Sequence, residues 1–325
     1  MRYFLSADGG GTKLTAVLFN DRSEVLGVGQ GQAINYASQA DIAESIRSCL
    51  TSCLHGYVDR GITIQKVYYA MPASTAMFLE ILRQYVSVDA AAWLSEGKMA
   101  LLAGLGQPEG VVALAGTGSG VFRVTDEELH IGGWGHLIGD PGSAYEIGRE
   151  IIQSVLRHIE GREPATLLTQ LFINAWQVED REALIYHVYR AANPRRQIAL
   201  AAVLGAEAAV QGDALARDIF ERAGEAMAEQ TNAMLRKYRK DDEVMVMIAG
   251  SAWKGCRAMY DRFCTKVQEA HPTAQVRIPR CEPALGGLFA QRLAEAAGGN
   301  GQLADASMLQ SIQDRYPSLM YNTLW

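Results

Sequence analysis

The sequence of 325 residues lacks an excess of positive charge: Lys and Arg number 30 against 36 Asp and Glu, a net charge of -6. No global basic field is there to attract nucleic acid or anionic lipid, although a locally basic site is compatible with these numbers. No stretch reaches the roughly 18 consecutive apolar residues of a membrane span. The opening MRYFLSADGGGTK has too few apolar residues before Asp8 for the core of a secretion signal. The expectation is a cytoplasmic protein with no membrane and no nucleic-acid partner. Cysteine is scarce: Cys49, Cys53, Cys256, Cys264 and Cys281 are odd in number and none stands in CxxC spacing, which excludes a disulfide framework and fits reduced thiols. Cys49 and Cys53 lie i,i+4 on a predicted helix with no His or acidic partner at ligand spacing, so core packing is expected of them. Low-complexity segments, charge runs and heptad series are also missing. What is present is ordinary for a folded chain, 49% apolar and 20% charged. The length exceeds what one core sustains, so two domains are expected.

RYFLSA (2–7) has the length and apolarity of a strand, DGGGTK (8–13) breaks it, and LTAVLFN (14–20) resumes it, a hairpin on a glycine-rich turn. EVLGVGQG (24–31) reads as a third strand, 40–58 as a helix, KVYYAM (66–71) as a strand, and 75–86 and 97–105 as helices. GVVALA (110–115), a second glycine turn AGTGSG (115–120) and VFRV (121–124) repeat the first pattern, with Gly116 standing where Gly9 stood. The echo suggests two domains built on related units. The chain is helical in pattern from about 142 to 240. It then gives a strand EVMVMIAGS (243–251), a helix from near Trp253, a helix over 283–297, a GGNG break (298–301) and a short helix over 308–316.

Glycine turns after strands let successive backbone N–H groups converge on an anion. The P-loop pattern GxxxxGK[ST] is absent, and Gly9, Gly10 and Gly11 open a strand where the dinucleotide fingerprint would open a helix, so neither of those nucleotide folds fits. Each turn alone is compatible with an ordinary tight turn. The two together with a strand ending AGS (249–251) suit a nucleotide held between two domains. Asp8 fits a Mg2+ held through water, Lys13 fits neutralisation of phosphate charge, and Thr12, Thr117 and Ser119 offer hydroxyls. In GGWGHLIGDPGSAYEIG (132–148), five glycines, Trp134, His136 and Asp140 precede a helix. Such density suits a site better than a core.

DGGGTK, AGTGSG, GGWGHLIGDPGSAY, AGSAWK (249–254) and PALGGL (283–288), in this order, resemble the N-acetylglucosamine kinase and BadF/BadG/BcrA/BcrD ATPase group of the sugar kinase, Hsp70 and actin superfamily, from residue 1 to about 297. The resemblance implies an α/β fold of two RNase H-like (actin-like ATPase) domains with a nucleotide cleft between them. The domains would span 1–114 and 115–301, the second with a helical insert, and the tail 302–325 would pack on the protein. It implies ATP-dependent phosphorylation of a hydroxyl, O6, of N-acetylglucosamine or a related amino sugar. The cofactors would be ATP and Mg2+, the partner a small sugar, and the assembly a homodimer through the helical insert. Carried over residue by residue, Gly10, Gly11, Thr12, Lys13, Thr117 and Ser119 would meet phosphate, Gly250 and Ser251 the adenosine, and Asp8 the metal. Asn35 of AINYAS, Thr117, Gly133, Trp134 and Asp140 would line the sugar site, where Asn35 and Asp140 can bond hydroxyls and Trp134 can stack on the ring.

The general base of such a kinase sits at the start of the helix before the second phosphate strand. The group has Asp there. Aligning LLAG (101–104) puts Glu96 in its place with Ser95 before it. Glu96 is the expected base; a weakened site and a plain helix-capping role are the alternatives, because one extra methylene moves the carboxylate by about 1 Å. Pro141 and MPAS (71–74) also depart from the group, next to the sugar site. Three function classes follow: the kinase, a catalytically weakened sugar-binding or regulatory protein, and an iron–sulfur ATPase that activates a dehydratase. The last needs a cysteine followed by glycine, which none of the five is. Arg195, Arg196 and Lys254 read as solvated and His136 as an organiser of its own loop. Trp253 is open between core packing and the adenosine site.

Overall fold

In β1 (Tyr3–Gly9) and β2 (Lys13–Asn20), Leu5, Ala7, Leu14, Ala16 and Leu18 belong to one core and Phe4, Val17 and Phe19 to another. Successive strand residues point to opposite faces, so a strand apolar on both must be covered on both. The computed structural model describes residues 1–35, 38–71, 74–125, 129–238, 242–296 and 306–325. β2 pairs antiparallel with β1 and with β3 (Val25–Gln32). After α1 (Gln39–Cys53), β4 (Thr63–Ala70) joins β1 in parallel. There follow α2 (Thr75–Leu82), the short β5 (Ser87–Val88) and β6 (Ala91–Trp93), both pairing with β4, and α3 (Glu96–Leu105). The sheet order is β3-β2-β1-β4-β5.

The glycines of β3 have a packing reason. A Cβ on Gly27, Gly29 or Gly31 would run into the carbonyl of Cys53, Cys49 or Ser45. Alternate strand residues thus meet every fourth residue of α1, and the two backbones touch. Cys49 and Cys53 are buried in this contact, as expected; burial pushes the Cys49 thiol up to about 12 and raises that of Cys53 as well.

The second sheet comprises β7 (Gly110–Ala115), β8 (Ser119–Val124) and β9 (Leu129–Gly132). Five helices follow: α4 (Ala144–Ile159), α5 (Leu167–Trp176), α6 (Arg181–Tyr189), α7 (Pro194–Val210) and α8 (Ala214–Leu235). Then come β10 (Met245–Ala249), α9 (Arg257–Ala270) and β11 (Gln275–Arg277), in the strand order β11-β10-β7-β8-β9. The expected helix from Trp253 is a 3-10 turn, Ala252–Lys254, ahead of α9. Residues 239–240 of the expected long helix and the GGNG break lie outside the described residues.

The chain then returns to the first sheet. After a 3-10 turn, Pro283–Leu285, α10 (Gly286–Ala296) packs so closely that Gly287 N–H donates to Ser6 Oγ at 3.0 Å. Leu285, Leu288 and Phe289, with Met308 and Ile312 of α11 (Ala306–Arg315), cover the face of Phe4, Val17 and Phe19. The chain accordingly divides into a first unit, Met1–Gly110 with Ile278–Tyr321, and a second, Val111–Arg277 with Asn322–Trp325. This corrects the expected boundaries: residues from Ile278 on belong with the first sheet, because its second apolar face needs their cover. The tail packs on the protein, and at its end Trp325 Nε1 donates to the Trp253 carbonyl at 3.1 Å within the second unit. No single helix among the described residues is long and apolar enough to cross a membrane.

Candidate active site

In the first unit the chemistry gathers at the glycine-turn end of β1 and β2. Gly10 N–H donates to the Lys13 carbonyl (3.1 Å) and closes the turn. Nothing lies within 4 Å of where a Gly10 side chain would stand, so this part of the turn faces open space. The Gly10 carbonyl accepts from Ile34 N–H (3.1 Å) and Asn35 N–H (3.4 Å), which brings Asn35 to the turn. Asn35 Oδ1 is buried with no hydrogen-bond partner among the described residues, and so is Thr15 Oγ1, one strand across from Asp8. An unpaired buried acceptor is costly, and a ligand donor at that spot removes the cost.

Asp8 stands one residue before the end of β1, on the face of Ser6. Burial, together with the negative charges of Glu96 and Glu282, pushes its carboxyl up to about 7, and Lys13 opposes them. Lys13 Nζ lies 3.7 Å from Glu282 Oε2. Glu96 is the first residue of α3, where the helix N-terminus favours a negative charge. Ser95, not Glu96, caps that helix, its hydroxyl accepting from Lys98 N–H at 3.1 Å, so the capping alternative for Glu96 is corrected. Sequence reasoning missed Glu282 and Thr15. Glu282 stands immediately before the PALGGL motif, and Thr15 is the alternate residue after Lys13, on the same strand face.

In the second unit, the turn between β7 and β8 is closed by Gly116 N–H donating to the Gly118 carbonyl (2.8 Å), and the Gly116 carbonyl takes Ala144 N–H (2.8 Å) at the start of α4. Thr117 is buried in this turn. Ser119 Oγ donates to the Pro141 carbonyl at 2.7 Å, so that hydroxyl fastens the following loop and is not free to donate to a phosphate as expected. Gly250 has φ 98°, and a side chain there would strike the Ala115 carbonyl, so only glycine lets β10 end against β7. Ser251 is exposed beside it.

Asp140 is 3% exposed. Its Oδ1 accepts from Gly135 N–H (2.9 Å), its Oδ2 lies 3.7 Å from Arg195 Nη2, and a side chain at Gly118 would strike it. It therefore ties the loop 133–140 to the glycine turn. The His130 ring fills the space beside Gly133, and Trp134 projects from the loop, 61% exposed. His136 packs edge-on to Tyr145 (5.4 Å), in keeping with a loop role. Arg195 was expected on a solvated surface; the structure buries most of it against Asp140. Asn193 caps α7 and Pro194 starts it, which sets Arg195 in the first turn, but its partner Asp140 is remote in sequence and no local pattern reports it. Trp253 is core, its Nε1 donating to the Ala113 carbonyl (3.0 Å). Of MPAS, Met71 is buried, Ser74 Oγ is buried without a partner among the described residues, and 72–73 lie outside them.

Residues 7–290 match the BadF/BadG/BcrA/BcrD ATPase family. A Clostridium acetobutylicum protein described as an N-acetylmuramic acid/N-acetylglucosamine kinase is 23% identical over 306 residues, 90% of this chain and 99% of its own. A Dictyostelium discoideum N-acetyl-D-glucosamine kinase is 26% identical over 313 residues, 87% of this chain and 95% of its own. Among solved structures, one from Chromobacterium violaceum assigned as an N-acetylglucosamine kinase superposes with a TM-score of 0.68 at 21% identity, over 89% of this chain and 98% of its own, a likeness of fold.

Proposed function

Because the chain belongs to the BadF/BadG/BcrA/BcrD ATPase family, we propose that it is an ATP-dependent kinase that phosphorylates a hydroxyl, O6, of N-acetylglucosamine or a related amino sugar. The names of the two relatives support the substrate class. The observation that carries the reading is the grouping, in one unit, of an open glycine turn, the acids Asp8 and Glu96, and the unpaired Asn35 Oδ1.

The residues have divided roles. In the first unit Gly10, Gly11 and Thr12 present the turn to phosphate and Lys13 neutralises its charge. Asn35 Oδ1 accepts from a sugar hydroxyl. Glu96 accepts the proton of the attacking hydroxyl as its oxygen bonds to the γ-phosphorus, while the bond from that phosphorus to the bridging oxygen breaks and ADP leaves. In the second unit the turn holding Thr117 and Ser119 binds phosphate through its backbone, and Gly250 with Ser251 lies along the adenosine. Gly133, Trp134, Asp140 and Thr117 serve the sugar, Trp134 by stacking on its ring face.

Asp8 fits Mg2+. It is an acid whose ionisation is suppressed by burial and two neighbouring acids, and a cation relieves both. Among the described residues no group of three His, Cys, Asp or Glu has a metal-holding arrangement, which suits a metal that keeps most of its ligands as water and phosphate. When bound, Mg2+ supplies charge neutralisation on the phosphate oxygens.

ADP release with Mg-ATP, measured across N-acetylglucosamine, glucosamine, N-acetylmuramic acid and plain hexoses, tests the reading. Release should depend on one amino sugar and fall on the order of 10²–10⁴-fold in Glu96→Ala. Sugar binding by calorimetry without release on any sugar would replace the kinase with a sugar-binding or regulatory protein.

A further inference from the structure

The far end of β2 carries a second constellation. Asn20 is buried; its Oδ1 accepts from the N–H groups of Arg22 (2.9 Å) and Glu24 (3.0 Å), and its Nδ2 donates to the Glu24 carboxylate (2.6 Å). The turn so fixed holds Ser23 at φ 62°, a conformation that a glycine would adopt at less cost. Keeping serine places a hydroxyl that accepts from Arg292 Nη1 of α10 at 3.1 Å. Opposite this turn, α11 contributes Ser307, Ser311 and Arg315. These residues line a cavity of about 210 Å³ whose apolar wall includes Val25 and Ile312.

Three guanidinium groups and one carboxylate, the latter turned to Asn20, give the cavity a formal charge of +2, the complement of a phosphomonoester dianion. Arginine forks and serine hydroxyls are the donors that recognise phosphoryl oxygens. The volume is below the ~300–1,000 Å³ of pockets for drug-sized ligands, so the occupant is small. The distance from Lys13 to Asn20 along β2 is about 24 Å, so the cavity is not part of the active site. We propose that this cavity binds a phosphomonoester dianion, as a small phosphorylated metabolite or free phosphate.

Calorimetric titration at fixed ionic strength, using inorganic phosphate in one arm and glucosamine 6-phosphate in the other, tests it on the wild-type chain, Arg22→Gln/Arg315→Gln and Ser311→Glu. Wild type should bind at least one anion, and both variants should bind it at least tenfold more weakly with an unchanged Tm. Tighter binding of the sugar phosphate makes the ligand a metabolite, and tighter binding of phosphate makes it the free ion; either supports the cavity as a site. No binding to wild type, or equal affinity in all three proteins, overturns it. Glu96→Ala should retain wild-type anion affinity here, so this result is independent of the kinase assay.

Discussion

At the scale of single residues, Asp8 shows how a site is held against its own stability. Its carboxyl ionises near pH 7 in the folded chain instead of at the ordinary 3.8, because burial and the charges of Glu96 and Glu282 outweigh the help of Lys13. Between about pH 4 and pH 7 the folded state therefore binds more protons than the unfolded state, stability falls as pH rises through that window, and it levels off above it. Asp8→Asn, which cannot ionise, should raise Tm at pH 8 and change it little at pH 4; equal shifts at both pH values in thermal melts would contradict this environment for Asp8. Mg-ATP affinity should rise with pH through 7 in the wild-type chain and lose that dependence in Asp8→Asn, as equilibrium dialysis would report. Asp8 and Glu96 were legible in the sequence because each sits inside or beside a local motif. Glu282 and Arg195 were not, because their partners Asp8 and Asp140 are remote in sequence and no local pattern reports a charge met only through folding.

At the scale of elements, the α1–β3 contact is the tightest test of the packing. Gly29→Ala places a methyl where the Cys49 carbonyl lies, so one backbone must move. The expected cost is on the order of 1–3 kcal/mol, read as a lower urea midpoint with the slope unchanged; a midpoint equal to wild type would refute the close approach. The hairpins, α1 and α3 were readable from periodicity and glycine placement. The reason for three alternating glycines in β3 was not, since a strand pattern says which face a residue occupies and nothing about how near the next layer comes. The 3-10 turn at Ala252–Lys254 likewise interrupts an expected helix because Trp253 is drawn into the core by its bond to the Ala113 carbonyl.

At the scale of the whole chain, each unit is completed by residues distant in sequence. The first closes with Ile278–Tyr321 and the second takes back Asn322–Trp325. Trp325 donates to the Trp253 carbonyl, stacks on Tyr260 (5.3 Å) and lies under Arg257 (5.2 Å). Removing residues 322–325 should cost ~1 kcal/mol of aromatic contact, a fall in Tm of roughly 2–4 °C. An unchanged Tm in calorimetry would show that the tail contributes nothing to the second unit.

The sequence by itself determined the order of motifs, the two glycine-turn hairpins and the helix that starts at Glu96, since turns, caps and periodic faces are set by neighbours a few residues apart. Tertiary structure alone decided that the helix after PALGGL covers the first sheet, that Glu282 joins Asp8, that Arg195 meets Asp140 and that three arginines surround one cavity at the far end of β2. These are matters of which apolar face finds which partner. A face is written in local periodicity, but its partner is chosen by the burial that the completed fold makes available.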